Sequence, residues 1–163
     1  MGLAIISTSF ASILALTFVV IMGFTVNAAE GGQVTRHILF ALPAMIISMF
    51  AHSMTLFYFI GTGSQIKELA KEKNLPKDYV DRTKHFKRRV FPWAMYTMLA
   101  VMLTFILGGG VHTGSIPAWV HRTLAFGALL MSVVAAFVET EFVLRNVKLA
   151  DEVLKAKGRS AGS

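Results

Sequence analysis

Four long apolar runs constrain this chain more than any other feature. Residues 3–26 and 90–107 carry no charged side chain. Residues 36–60 carry only Arg36, His37 and His52, and residues 117–144 only His121, Arg122, Glu139 and Glu141. About 20 helical residues, at about 1.5 Å each, cross a hydrocarbon core about 30 Å thick. An isolated backbone can cross lipid only if its polar groups bond within the segment, which favours helices. The chain is therefore predicted to be all-α: a polytopic membrane protein, a four-transmembrane-helix bundle forming one membrane domain over residues 1–163. The composition agrees. Only 15% of the 163 residues are charged, against about 25% in a typical soluble domain.

The first run ends in Asn27-Ala28-Ala29, which resembles a signal-peptide cleavage site. No Lys or Arg precedes the run, however, and it exceeds the 7–15 residues of a signal's apolar region, about the usual limit. It is read as a spanning helix.

Lysines and arginines set the expected orientation. Of the 16, nine lie in the segment 61–89 and five in the tail 145–163, leaving Arg36 and Arg122 on the other side. This asymmetry places the 61–89 loop, the basic tail and both termini in the cytoplasm, with a bacterial inner membrane as the expected location. The net charge of +7 is then a topology signal near anionic headgroups, and no nucleic-acid partner is expected. Cysteine is absent, which removes disulfides, thiolate metal sites and iron–sulfur clusters.

Within the 61–89 segment, Gly61-Thr62-Gly63 is expected to end the second span. Ser64 is expected to cap a short helix, and Pro76 to start another that runs into the third span. His85, among Lys84, Lys87, Arg88 and Arg89, reads as solvated. On the opposite side, Gly108, Gly109, Gly110 and Gly114 are expected to let a loop fold over the bundle end. Ser115 is placed as a cap for the fourth span, with Pro117 in its first turn.

The second and fourth spans share a stripe of small and polar residues. His37, Ala41, Ala44, Ser48, His52 and Thr55 fall within about 80° of arc on a helix. A shift of 84 positions matches His37 to His121, Ala41 to Ala125, Ala44 to Ala128, Ser48 to Ser132 and Ala51 to Ala135. Both spans run in the same direction, so matched residues lie at similar depth. Small and polar faces turn inward in membrane bundles. His37 and His121 should therefore face the interior near the outer surface, with His112 close by.

That end suits a haem b. Two imidazoles on facing helices can take the iron axially. Ala41 and Ala125, with Ala44, Gly127 and Ala128, leave room beside the ligands. Arg36 and Arg122 stand next to the histidines, where propionates would need cations. The plan resembles small four-helix membrane cytochromes b, such as the anchor subunits of succinate dehydrogenases. That resemblance implies membrane electron transfer, linked to a quinone, within a larger respiratory complex. Two other readings fit the same residues. One is a copper or zinc ion on His37, His112 and His121. The other is a cofactor-free accessory subunit in contact with other membrane subunits or a second copy.

His52 lies about 22 Å below His37 on the same face. The shift matches Thr55 to Glu139, which brings Glu139 within a turn of His52. Such a pair is expected to relay protons, to bind a quinone headgroup, or to fix helix packing. Glu141, near the opposite side of its helix, should reach headgroups or Arg145. No base and orienter accompany Ser7, Ser9, Ser12 or Ser48, so no hydrolytic triad is expected.

Overall fold

The computed structural model describes residues 1–27 and 30–160 of the chain, with the side chains of residues 159 and 160 left aside. Ala28 and Ala29 of the cleavage-like triplet, and residues 161–163 of the tail, lie outside that set. The described residues form four helices and no strand: α1 (Gly2–Thr25), α2 (Gly31–Glu72), α3 (Asp78–His112) and α4 (Ala118–Ser160). Each is long and apolar enough to cross a membrane.

Neighbouring helices run antiparallel. α1 packs on α2 and α4, and α3 packs on the same two, closing a ring. α2 and α4, which are parallel, also meet across the diagonal, whereas α1 and α3 do not. The reason lies in the side chains at the diagonal. Ala44, Ser48, Ala51, Ala128, Ser132 and Ala135 are all buried, and side chains this small let two backbones approach closely.

Outside the ring lies a belt of exposed large apolar side chains. On α2 it runs from Ile38 to Ile60, and none occurs between Ile60 and Trp93. Those 22 steps amount to about 33 Å, close to the thickness of a hydrocarbon core. The helices do not stop at the belt. α2 has 42 residues and α4 has 43, about 64 Å each. They project past it at the end that carries the basic segment, called the basic end below. The opposite end is the histidine end.

The main apolar core sits toward the basic end. Ile5, Tyr58, Phe59, Ile66, Phe86, Val90, Phe142, Val143, Leu149 and Val153 form one buried cluster. Arg82 also bridges to Glu152 across the projecting part, Nη1 to Oε2 at 2.6 Å.

Three local expectations are corrected. Gly61-Thr62-Gly63 does not end α2, which continues unbroken to Glu72. Gly63 serves instead as a point of close approach: a Cβ there would lie 2.8 Å from Cε of Lys87 on α3. Ser64 therefore starts no helix, and its hydroxyl bonds the Glu68 carboxylate at 3.4 Å. At the other end, Gly108, Gly109 and Gly110 belong to α3 rather than to a loop. Gly110 lies against Ile116, and of these four glycines only Gly114 takes a positive φ, of 74°. The Ser115 hydroxyl pairs with that of Thr113 at 3.0 Å, so the turn is fastened within itself.

Candidate functional site

The two helices that meet across the diagonal place two polar sites at different depths. The first is at the histidine end. The imidazoles of His37 on α2 and His121 on α4 face each other, with centroids 6.2 Å apart and planes at 84°. Both rings are half-buried.

Each ring is held from behind by a glycine of the neighbouring helix. A Cβ at Gly23 of α1 would lie 3.0 Å from Cε1 of His37, and one at Gly108 of α3 would lie 3.1 Å from Cε1 of His121. Gly23 and Gly108 occupy matching places in the α1–α2 and α3–α4 hairpins. The site is thus built twice over, with one glycine and one histidine from each hairpin. Sequence reasoning gave Gly23 no role and placed Gly108 in a loop; small residues in packed membrane helices allow close approach, but which glycine meets a ring is set by its neighbours in space.

The two histidines differ in their second nitrogen. Nδ1 of His121 lies 3.1 Å from the carbonyl of Thr104. A carbonyl only accepts, so Nδ1 carries the proton and Nε2 is left with its lone pair. Nδ1 of His37 is buried without a hydrogen-bond partner.

Beside the rings is a cavity of about 300 Å³ lined by all four helices. Its wall is mostly apolar and includes Val19, Phe24, Met45 and Phe105, with Ala41, Ala125 and Ala128 next to the histidines. Arg122 and His112 also line it. Arg36 does not line it and is exposed. His112 is likewise exposed and does not join the two rings in a tight cluster. Among the described residues, no three histidine, cysteine, aspartate or glutamate side chains gather closely enough to hold an ion.

The second site lies deeper. Nδ1 of His52 is 2.7 Å from Oε1 of Glu139. The hydroxyl of Thr55 donates to Oε2 at 3.0 Å. His52, Thr55 and Glu139 are 3%, 0% and 1% exposed. Both carboxylate oxygens are thus engaged, as a buried charge or acid requires. Two turns toward the basic end, Asn146 donates through Nδ2 to the Thr62 hydroxyl at 2.9 Å. Thr55–Glu139 and Thr62–Asn146 are each separated by 84 positions, as are the two facing histidines. Sequence reasoning did not single out Asn146, although the same shift pairs it with Thr62. Glu141 faces outward and pairs with Arg145 at 2.5 Å.

Comparison of the chain with protein-family models, curated proteins and solved structures returned no match.

Proposed function

We propose that the protein is an electron-transfer subunit of a membrane, carrying one haem b between His37 and His121. The pairing of two imidazoles across the bundle carries this reading: His37 and His121 face each other from facing helices with centroids 6.2 Å apart, and the two residues would hold the haem from those helices. Two ligands leave a bare copper or zinc ion short of its usual four, whereas a porphyrin brings four nitrogens of its own. The donor set therefore suits haem better than a naked ion.

The surroundings support the same choice. The cavity is mostly apolar, as ligand sites commonly are. Arg122 lines it and can meet a propionate. The carbonyl of Thr104 orients His121 and raises its basicity as a ligand. The unpartnered Nδ1 of His37 is a buried polar atom in need of a partner, which a bound group or water would supply.

The bound haem would accept and release one electron at a time. In this reading the basic end faces the cytoplasm of a bacterial cell, because cations favour that side. The haem then lies near the outer surface, within reach of an extracytoplasmic donor, and a membrane quinone is the natural exchange partner in the lipid phase. Other membrane subunits, or a second copy, would complete the pathway.

The test is spectroscopic. Protein purified from haem-sufficient cells should show a Soret band, and dithionite should bring up a reduced α band. His37→Ala and His121→Ala should each abolish the bands of a six-coordinate haem. A colourless protein without haem would overturn the reading. Stoichiometric copper or zinc would then favour a metal site, and absence of both an accessory role.

A further inference from the structure

The two halves of the histidine site match closely until the ring nitrogens are reached. In each hairpin a glycine backs the imidazole of the following helix: Gly108 behind His121 and Gly23 behind His37. Four residues before Gly108 stands Thr104, whose carbonyl lies 3.1 Å from Nδ1 of His121. Four residues before Gly23 stands Val19, which lines the same cavity as Thr104. Yet Nδ1 of His37 is buried with no hydrogen-bond partner. One imidazole is anchored through its second nitrogen and the other is not.

That difference bears on how firmly each ring can hold a metal. An acceptor on the far N–H fixes the tautomer and the orientation of a ligating imidazole and raises its basicity. Loss of such a partner typically costs about 10–100-fold in metal affinity. The carbonyl of Thr104 plays this part for His121. No protein group plays it for His37.

The cavity wall is divided in the same way. The α1–α2 hairpin lines it with no polar side chain besides His37, and its apolar part includes Val20, Phe24, Val34 and Met45. The α3–α4 hairpin brings Thr104, His112 and Arg122 beside His121. A charged ligand therefore finds a partner on the His121 side alone. On the His37 side the wall suits a small neutral molecule that needs no hydrogen bond. Polarity and hydrogen-bond donors around a haem decide which small molecules it takes.

We propose, on the haem reading above, that His37 is the exchangeable ligand of the pair and that a small neutral diatomic molecule, of the carbon monoxide or nitric oxide type, takes its place. In the exchange the bond from Nε2 of His37 to the metal breaks, and a lone pair of the incoming molecule forms the new one. The imidazole leaves as a neutral ring. No electron or proton changes hands, so no further reactant is needed. His121 remains in place, held by Thr104.

The experiment uses the full-length holoprotein in lipid nanodiscs, with carbon monoxide as the probe. Added to the dithionite-reduced wild type, carbon monoxide should shift the Soret band. His37→Ala should retain haem on His121 and bind carbon monoxide at least about tenfold more tightly, because no internal ligand competes. Gly23→Leu, which displaces the His37 ring, should do the same and serves if His37→Ala does not fold. His121→Ala should lose most of its haem. In nuclear magnetic resonance spectra of the reduced protein, the Nδ1 proton of His121 should be hydrogen-bonded and that of His37 should not. Three results would overturn the proposal while the haem reading stands: haem that takes no carbon monoxide, haem kept by His121→Ala but lost from His37→Ala, or equal hydrogen bonding of the two Nδ1 protons. Azide binding to the oxidised protein as readily as carbon monoxide to the reduced one would overturn the choice of a neutral ligand. A protein without haem would overturn the haem reading itself, and this proposal with it.

Discussion

Gly108 lies directly against the imidazole of His121: a Cβ added to the glycine would sit 3.1 Å from Cε1 of the ring. The next residue, Gly109, has nothing within 4 Å of its would-be Cβ. Two adjacent glycines of one helix thus have opposite meanings. Gly108→Leu should push His121 aside and abolish the six-coordinate haem spectrum while leaving the helical circular dichroism in place. Gly109→Ala should keep the spectrum and raise thermal stability by up to about 1 kcal/mol, because alanine loses less backbone entropy in a helix. Equal effects of the two substitutions would show that the contact with the ring does not matter.

The matching glycine on the other hairpin gives an independent check. A Cβ at Gly23 would lie 3.0 Å from Cε1 of His37. Gly23→Leu should reproduce the loss of the six-coordinate spectrum. Gly127→Ala, which also has open space around it, should not. The comparison is read from reduced-minus-oxidised spectra at equal protein concentration.

Much of this architecture is legible in the sequence. Charge-free length predicts the four helices, and each is long and apolar enough to cross a membrane. The shift of 84 positions brings out the facing histidines and the nearness of His52 to Glu139, because parallel helices keep matched residues at one depth. What escapes is set by close approach rather than by pattern. Gly63 reads as a helix end but is a crossing point under Lys87. Gly108 reads as loop but is the seat of an imidazole. A glycine's neighbours in space decide between these, and the linear sequence does not contain them. Likewise, Asn146 looks like part of a solvated tail until α4 is seen to run on as part of the bundle.

The His52–Glu139 pair allows a graded test of stability. Removing Thr55 Oγ1 costs one hydrogen bond to a carboxylate that keeps its main partner. Interhelical bonds of that kind in membranes contribute about 0.6 kcal/mol on average, so Thr55→Val should cost about that much. His52→Leu strands a carboxylate that is 1% exposed and should cost about 3 kcal/mol, the scale for breaking a buried pair. The double variant with Glu139→Leu should regain most of that loss. Thermal or denaturant unfolding in detergent checks all three. A double variant no more stable than His52→Leu would show that the stranded carboxylate is not the source of the cost.

At the basic end, the Arg82–Glu152 bridge gives α3 and α4 a pH-sensitive clasp outside the apolar belt. The hydrogen bond from Arg82 holds the Glu152 carboxyl below its usual value of 4.5, and the charges of Arg82 and Lys155 act the same way. A carboxylate with a lowered folded pKa contributes stability that is complete above its unfolded pKa. That contribution is lost as pH falls through the folded value. Both side chains are substantially exposed, at 36% and 48%, so screening keeps the contribution small. Glu152→Gln should therefore lower the melting temperature at neutral pH by about a degree or two. The difference from wild type should vanish once the pH falls below the carboxylate range, and added salt should shrink it at neutral pH. Melting curves of the two proteins across pH, at low and high ionic strength, supply the check. A difference that persists in acid would assign the effect to packing of the side chain rather than to its charge.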